Sequence, residues 1–226
     1  MATGDTTAIY TDAIFSVRNI DEARQIILTP EGIGTDVRWE TETPYIRDTM
    51  LKLFPGDGTL LDFGCGVGRL AKAWIDSAPA GHVLGVDIST SMRQLAPGYV
   101  VNDRFTACSP PALVRLLEMG LRFDGALACW AIQHVLNAAE AIDLLYAALK
   151  PGARLLVVNT LRRAVPTDRG WVNDGFDVAK FLSDRFVVES FGTLPETATS
   201  SDIARHTFIG VYRKDAAPSS VTPSLT

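Results

Sequence analysis

The residues whose types and spacing best suit chemistry lie in the stretch LLDFGCGVGRL, where Asp62 is followed at alternate positions by Gly64, Gly66 and Gly68, with Cys65 between them. Glycine accepts positive φ and lets a ligand lie against bare main chain. A helix starting just beyond offers unpaired N–H groups to an anionic group. Asp62 adds a fixed negative charge, which a cationic amino or sulfonium group tolerates far better than a pyrophosphate does. The spacing agrees, because the dinucleotide pattern G-x-G-x-x-G needs its third glycine where Arg69 stands. A second acid, Asp87, stands directly after the apolar run His82-Val83-Leu84-Gly85-Val86. His134 follows another apolar run and is the best base candidate, since an unperturbed imidazole titrates near working pH.

These residues need elements to carry them. Apolar runs at 59–63, 82–86, 105–108, 123–129 and 154–159 read as strands, and the segments between them carry helical spacing. That alternation predicts a parallel sheet covered on both faces. Ser89 or Thr90 caps the helix at 91–95, and Lys150-Pro151-Gly152 ends the helix that runs from His134 through Leu149. Residues 160–175 are polar and rich in turn formers, a loop over a site. Residues 176–181 read as helix, and 186–191 and 206–212 as an antiparallel pair at one sheet edge.

Ahead of the first strand, residues 9–54 read as a helical cap. One short helix follows Asp21 and ends at Thr29-Pro30-Glu31-Gly32; a second opens with Thr43 as N-cap and Pro44 at its first position. A loop at 36–42, holding Trp39, joins them. The domain division expected is a cap at 1–54, a core at 55–214 and a disordered tail at 215–226, which is small, polar and proline-containing.

The totals set limits. A chain of 226 residues with 47% hydrophobic residues suits one domain and a sizeable core. A formal net charge of −5 argues against nucleic acid as partner. Three cysteines without CxxC spacing indicate a reducing, cytoplasmic setting. The opening MATGDTT has no export pattern, and no apolar run reaches the length of a membrane helix. No His, Cys or carboxylate cluster has metal-ligand spacing, so no metal is expected.

Asp62–Gly68 resembles the D/E-x-G-x-G-x-G signature of class I S-adenosylmethionine-dependent methyltransferases, and the order of elements over residues 59–160 resembles theirs as well. The resemblance implies a Rossmann-like α/β/α sandwich: a seven-stranded, mostly parallel sheet of order 3-2-1-4-5-7-6 with the seventh strand antiparallel. It implies S-adenosylmethionine as cofactor, with Asp62 and the backbone at Gly64 facing the methionine end. Asp87 would hold both ribose hydroxyls through two charge-assisted bonds, and Ile88 would pack on the adenine. Ser109 stands where the family often carries an acid for the adenine amino group, and Cys129, Trp130 and His134 lie on the segment that passes the transferable methyl.

The expected reaction is methyl transfer to an oxygen or nitrogen of a small, apolar or aromatic acceptor, with His134 as base. Trp39, Trp130, Trp171 and Phe176 are candidate walls. Arg162, Arg163 and Arg169 read as a solvated cluster or as contacts for an anionic substrate, Asp174 and Asp177 as helix caps, and His206 as a minor base candidate. The alternatives are an NAD-type oxidoreductase, which Arg69 disfavours, a non-catalytic nucleotide-binding module, and a nucleic-acid methyltransferase. Monomer and homodimer both stay open.

Overall fold

The computed structural model describes residues 8–26 and 35–216, without the side chains of 35–38. The turn at 29–32, Ile27, the opening MATGDTT and residues 217–226 of the tail lie outside the described residues. A seven-stranded sheet forms the centre, from β1 (Thr59–Phe63), β2 (His82–Val86), β3 (Phe105–Cys108), β4 (Phe123–Cys129), β5 (Leu149–Thr160), β8 (Val187–Gly192) and β9 (Thr207–Arg213), while β6 (Val165–Thr167) and β7 (Gly170–Val172) form a separate pair. The order in the main sheet is β3-β2-β1-β4-β5-β9-β8. β9 runs antiparallel to β5 and to β8, so the expected order and the reversed strand are both present.

Period-2 alternation drives the layering. In β1, Leu60 packs on one face with Leu70, Trp74 and Val83, and Leu61 on the other with Leu113, Ala126 and Leu145. A short cap helix, α1 (Ile20–Gln25), is started by Asn19, whose side chain accepts from Glu22 N–H. The first face of the sheet is covered by α2 (Thr35–Leu53), α3 (Arg69–Ile75) and α4 (Thr90–Val100), and the second by α5 (Pro110–Glu118), α6 (Ala138–Ala148) and α7 (Val178–Arg185). Both faces of the parallel part of the sheet are thus apolar and covered, while the edge strand β8 is exposed. No described helix is long and apolar enough to cross a membrane.

Three expectations are corrected. Thr43 is not an N-cap, and 36–42 is not a loop, because α2 begins at Thr35 and runs through Pro44. The proline costs one backbone hydrogen bond, but the turn before it is fastened from outside: Arg69 donates to Glu42 Oε1 and Thr43 Oγ1, and Trp130 donates to Glu42 Oε1. Residues 160–175 are not all loop, since they contain the antiparallel pair of β6 and β7, to which the N-terminal segment adds a bridge at Tyr10. α4 also continues to Val100, well past the expected end at Leu95, passing through Pro97.

Candidate active site

The C-terminal ends of β1, β2 and β4 open onto a cavity of about 950 Å³. After β1 the chain turns through Gly64, Gly66 and Gly68 with φ of 77°, 53° and 85°. That region is closed to most side chains. The three glycines serve different ends. A Cβ on Gly64 would lie 2.3 Å from Ala131 Cβ, and one on Gly68 would lie 2.6 Å from Val100 Cγ2, so both permit close packing. A Cβ on Gly66 would meet nothing within 4 Å, and this residue lines the cavity: it presents bare backbone to open space.

Asp62 is buried, and its Oδ2 has no hydrogen-bond partner. Burial pushes its carboxyl up to about 7, with Arg69 pulling it down and Asp87 pushing it up. A buried, unpaired acceptor at a cavity wall is costly unless a donor meets it, and an ammonium group fits that need. Asp87 accepts from Gly66 N–H at 2.8 Å through Oδ2 and from Ser89 N–H at 2.8 Å through Oδ1. These bonds fix the carboxylate; each oxygen retains a second lone-pair direction, so two neighbouring hydroxyls can still be bound. Burial raises the Asp87 carboxyl, and the two amides oppose that rise. Ile88, exposed, offers an apolar face on the cavity beside it. The residues present therefore fit an amino acid joined to a nucleoside.

Cys65, Cys129 and Trp130 also line the cavity. Burial pushes the Cys65 thiol up, which makes it an apolar wall and not a nucleophile. Trp130 has φ of 57°. Such a conformation is rare for a bulky residue. Its indole bond of 2.7 Å to Glu42 on α2 and its backbone bond of 2.7 Å to Val158 hold it there. Ser109 does not line the cavity; its hydroxyl caps α5 by accepting from Ala112 N–H, and Pro110 faces the cavity in its place.

His134 sits in a 3-10 turn (Ile132–His134), not in the helix that follows. Its Nδ1 is 2.7 Å from the Ala164 carbonyl. A carbonyl only accepts, so Nδ1 carries the proton. Its Nε2 is 3.1 Å from Gln133 Nε2. The Gln133 amide is oriented because its Oε1 accepts from Thr160 N–H, leaving Nε2 as the donor. His134 is thus a neutral imidazole whose Nε2 lone pair points at an amide hydrogen. Burial holds its pKa down, opposed by the Ala164 bond and aided by Arg163.

The ring of His134 lies 5.6 Å from that of Phe15 and 5.0 Å from that of Trp171. Phe15 and Trp171 are brought there by the strap at residues 9–17 and by β7; the strap is held by Thr11 N–H to Pro166, by Ser89 Oγ to the Phe15 carbonyl, and by Val17 N–H to Ser91 Oγ. Of the expected walls, Trp39, Trp130 and Trp171 line the cavity and Phe176 does not. Sequence reasoning missed Tyr10 and Phe15, for long-range contacts place them: the bridge of Tyr10 to Thr167 and the bond of Ser89 to the Phe15 carbonyl.

Arg163 corrects another expectation. It is buried and donates to the carbonyls of Ile132, Val135 and Leu136 and to Asp174, so it neither waits for an anionic substrate nor lies in solvent. Asp177 caps α7, as expected. His206 and Asp202 also reach the cavity, through the short helix α8 (Ser201–Arg205), which the sequence did not reveal.

Residues 61–155 match the methyltransferase domain family. The chain is similar to a demethylmenaquinone methyltransferase of Symbiobacterium thermophilum, with 31% identity over 150 residues; these are 61% of this chain and 53% of that protein, so the chain spans about half the length of this relative. It is also similar to the ubiquinone/menaquinone biosynthesis C-methyltransferase UbiE of Cereibacter sphaeroides, with 27% identity over 184 residues, covering 74% of this chain and 73% of that one. Its fold matches the crystal structure of an S-adenosylmethionine-dependent methyltransferase from Mesorhizobium loti at a TM-score of 0.56 and 17% identity, covering 77% of this chain and 99% of that one. The third glycine that a dinucleotide fold would need is the buried Arg69. Residues 61–155, which open on the Asp62–Gly68 turn, thus match a methyltransferase domain, and the sheet around them has the Rossmann-like order of S-adenosylmethionine-dependent methyltransferases.

Proposed function

We propose that this chain transfers a methyl group from S-adenosylmethionine to the electron-rich ring of a small, flat, uncharged acceptor of the quinol or phenol type. The observation that carries the reading is the unpartnered Asp62 Oδ2 beside bare Gly66, in the same cavity as the Phe15–His134–Trp171 cluster. When bound, the cofactor supplies a sulfonium-activated methyl group. Asp62 holds the ammonium group, Asp87 holds the ribose hydroxyls and Ile88 covers the adenine. The aromatic cluster aligns a flat ring and excludes water, which suits an in-line displacement. His134 Nε2 takes the proton of an acceptor hydroxyl, which replaces the Gln133 amide hydrogen at that lone pair; where a ring carbon takes the methyl, the hydrogen on that carbon then passes to the hydroxyl oxygen and the ring is aromatic again.

Charge supports an uncharged acceptor. The wall includes Glu140 and Asp202 as well as Asp62 and Asp87, while Arg69, paired with Glu42, is its one arginine or lysine among the described residues. The relatives from quinone biosynthesis include proteins named C-methyltransferases and proteins named O-methyltransferases, which supports a quinol-type ring whose carbon or hydroxyl oxygen takes the methyl.

The test has two arms. S-adenosylhomocysteine is expected to raise the melting temperature by mass action, NADH to leave it unchanged, and Asp87→Ala to abolish the shift. Incubation with S-adenosylmethionine and a reduced naphthoquinone is expected to add one methyl group, read by mass spectrometry. No shift with S-adenosylhomocysteine would overturn the reading, and binding without any methylated product would favour a non-catalytic module.

A further inference from the structure

Arg69 poses a problem for a site that binds a cation. It lines the cavity, it is buried, and its charge acts on Asp62. That action is useful, because it keeps the Asp62 carboxyl from rising further and so keeps it available to an ammonium group. The same charge in a poorly hydrated cavity repels a sulfonium. Coulomb repulsion from one unit charge about 10 Å away, at an effective dielectric of about 20, changes an affinity by roughly tenfold.

The chain answers this from its cap helix. Glu42 on α2 is fully buried; its Oε1 is 3.1 Å from Arg69 Nη2 and 2.7 Å from Trp130 Nε1. Thr43 Oγ1 takes a second guanidinium hydrogen at 2.9 Å. Arg69 is also 5.3 Å from the Trp39 ring, on the side of the cap. A buried carboxylate is expensive and is tolerated only when it is paired. Its position balances one charge: with Glu42 the local set Asp62, Asp87, Arg69 and Glu42 is net negative by two, and without it by one.

Resting on the proposed function, we propose that Glu42 is a specificity-determining residue that cancels the Arg69 charge, so that the site prefers the sulfonium donor over the neutral thioether product. S-adenosylmethionine and S-adenosylhomocysteine share the adenosine, the ammonium and the carboxylate, and differ by the methyl and one positive charge. A residue that only supports the fold weakens both ligands alike. A residue that sets the charge of the site changes their ratio.

The test is calorimetric titration of both ligands into the wild type, Glu42→Gln and the double variant Glu42→Gln/Arg69→Gln. Glutamine keeps an acceptor for Trp130 and removes the charge. In Glu42→Gln the preference for S-adenosylmethionine over S-adenosylhomocysteine is expected to fall on the order of tenfold. In the double variant, which removes both charges, it is expected to return to within about threefold of the wild type. An unchanged ratio in Glu42→Gln overturns the proposal. If that single variant does not fold, a ratio lost in the double variant overturns it and a ratio kept supports it. Failure of either ligand to bind the wild type would instead overturn the proposed function.

Discussion

Gly64 and Ala131 stand so close that a Cβ added to the first would lie 2.3 Å from the Cβ of the second. The contact joins the turn after β1 to the segment after β4, the two walls between which a methyl donor would lie. Gly64 also has φ of 77°. Gly64→Ala therefore meets both a steric and a conformational penalty, and we expect a loss of about 2–4 kcal/mol in urea unfolding. The S-adenosylhomocysteine melting shift should disappear in the same variant. Stability within about 0.5 kcal/mol of the wild type would show that the turn is freer than drawn.

Asp62 makes both stability and binding depend on pH. Its folded-state carboxyl is raised from the ordinary value of 3.8 to about 7. Between those values the folded chain keeps a proton that the unfolded chain has released, so the contribution of this group to stability falls as pH rises through that window. Asp62→Asn is expected to gain stability relative to the wild type between pH 4 and pH 8, measured by denaturant unfolding of the ligand-free protein. Binding runs the other way, since an ammonium group needs the ionised carboxylate. S-adenosylhomocysteine affinity should level off above about pH 7 and weaken by about tenfold per unit below it; a flat affinity profile from pH 5 to pH 8 would contradict the assignment.

The core was legible where local signals and burial agree. β1 to β4 begin and end where the apolar runs predict, because each run is bounded by turn-forming or polar residues and each face of a parallel sheet is buried. α2 was misread because Thr43-Pro44 is a good local start signal, outweighed by Arg69 and Trp130, which grip Glu42 from far along the chain. The polar run ahead of Pro44 held no helix breaker, and that was the available clue. The hairpin of β6 and β7 was read as loop because its third partner, Tyr10, comes from the opposite end of the sequence. Asp62 and Asp87 could be found from spacing alone. Tyr10 and Phe15 could not, since nothing in their neighbourhood marks them, and the place of His206 on the cavity depends on α8, whose short run carries no helical period.

Arg163 is expected to be structural. Its side chain is 1% exposed, and it donates to three backbone carbonyls in and just after the turn that carries His134. Arg163→Met removes a donor from each of those acceptors, of which the Ile132 carbonyl keeps the Val135 N–H, and is expected to cost about 2–4 kcal/mol in unfolding free energy. Arg163→Lys should not restore it, because an ammonium cannot span the planar fork of acceptors. Normal stability in Arg163→Met, with reduced affinity only for anionic acceptors, would return this residue to a substrate-binding role.

His134 and Gln133 supply the final prediction, which separates a base from a wall. His134→Phe keeps an aromatic ring against Phe15 and Trp171 but loses the Nε2 lone pair. If His134 takes the acceptor proton, methyl transfer should fall by about 10²–10⁴-fold, while S-adenosylhomocysteine binding and the melting temperature change little. The pH profile carries a second signature. Because burial lowers the imidazole pKa, the acid limb of kcat/KM for the acceptor, measured at saturating S-adenosylmethionine so that Asp62 is already ionised against the ammonium group, should have its midpoint below the ordinary value of 6.5 for histidine. Gln133→Leu removes the amide that occupies Nε2 at 3.1 Å, so the lone pair gains freedom and the midpoint should move upward. Activity and pH profile both unchanged in His134→Phe would make this residue a stacking wall, and the acceptor proton would then leave by another route, with His206 the next histidine on the cavity.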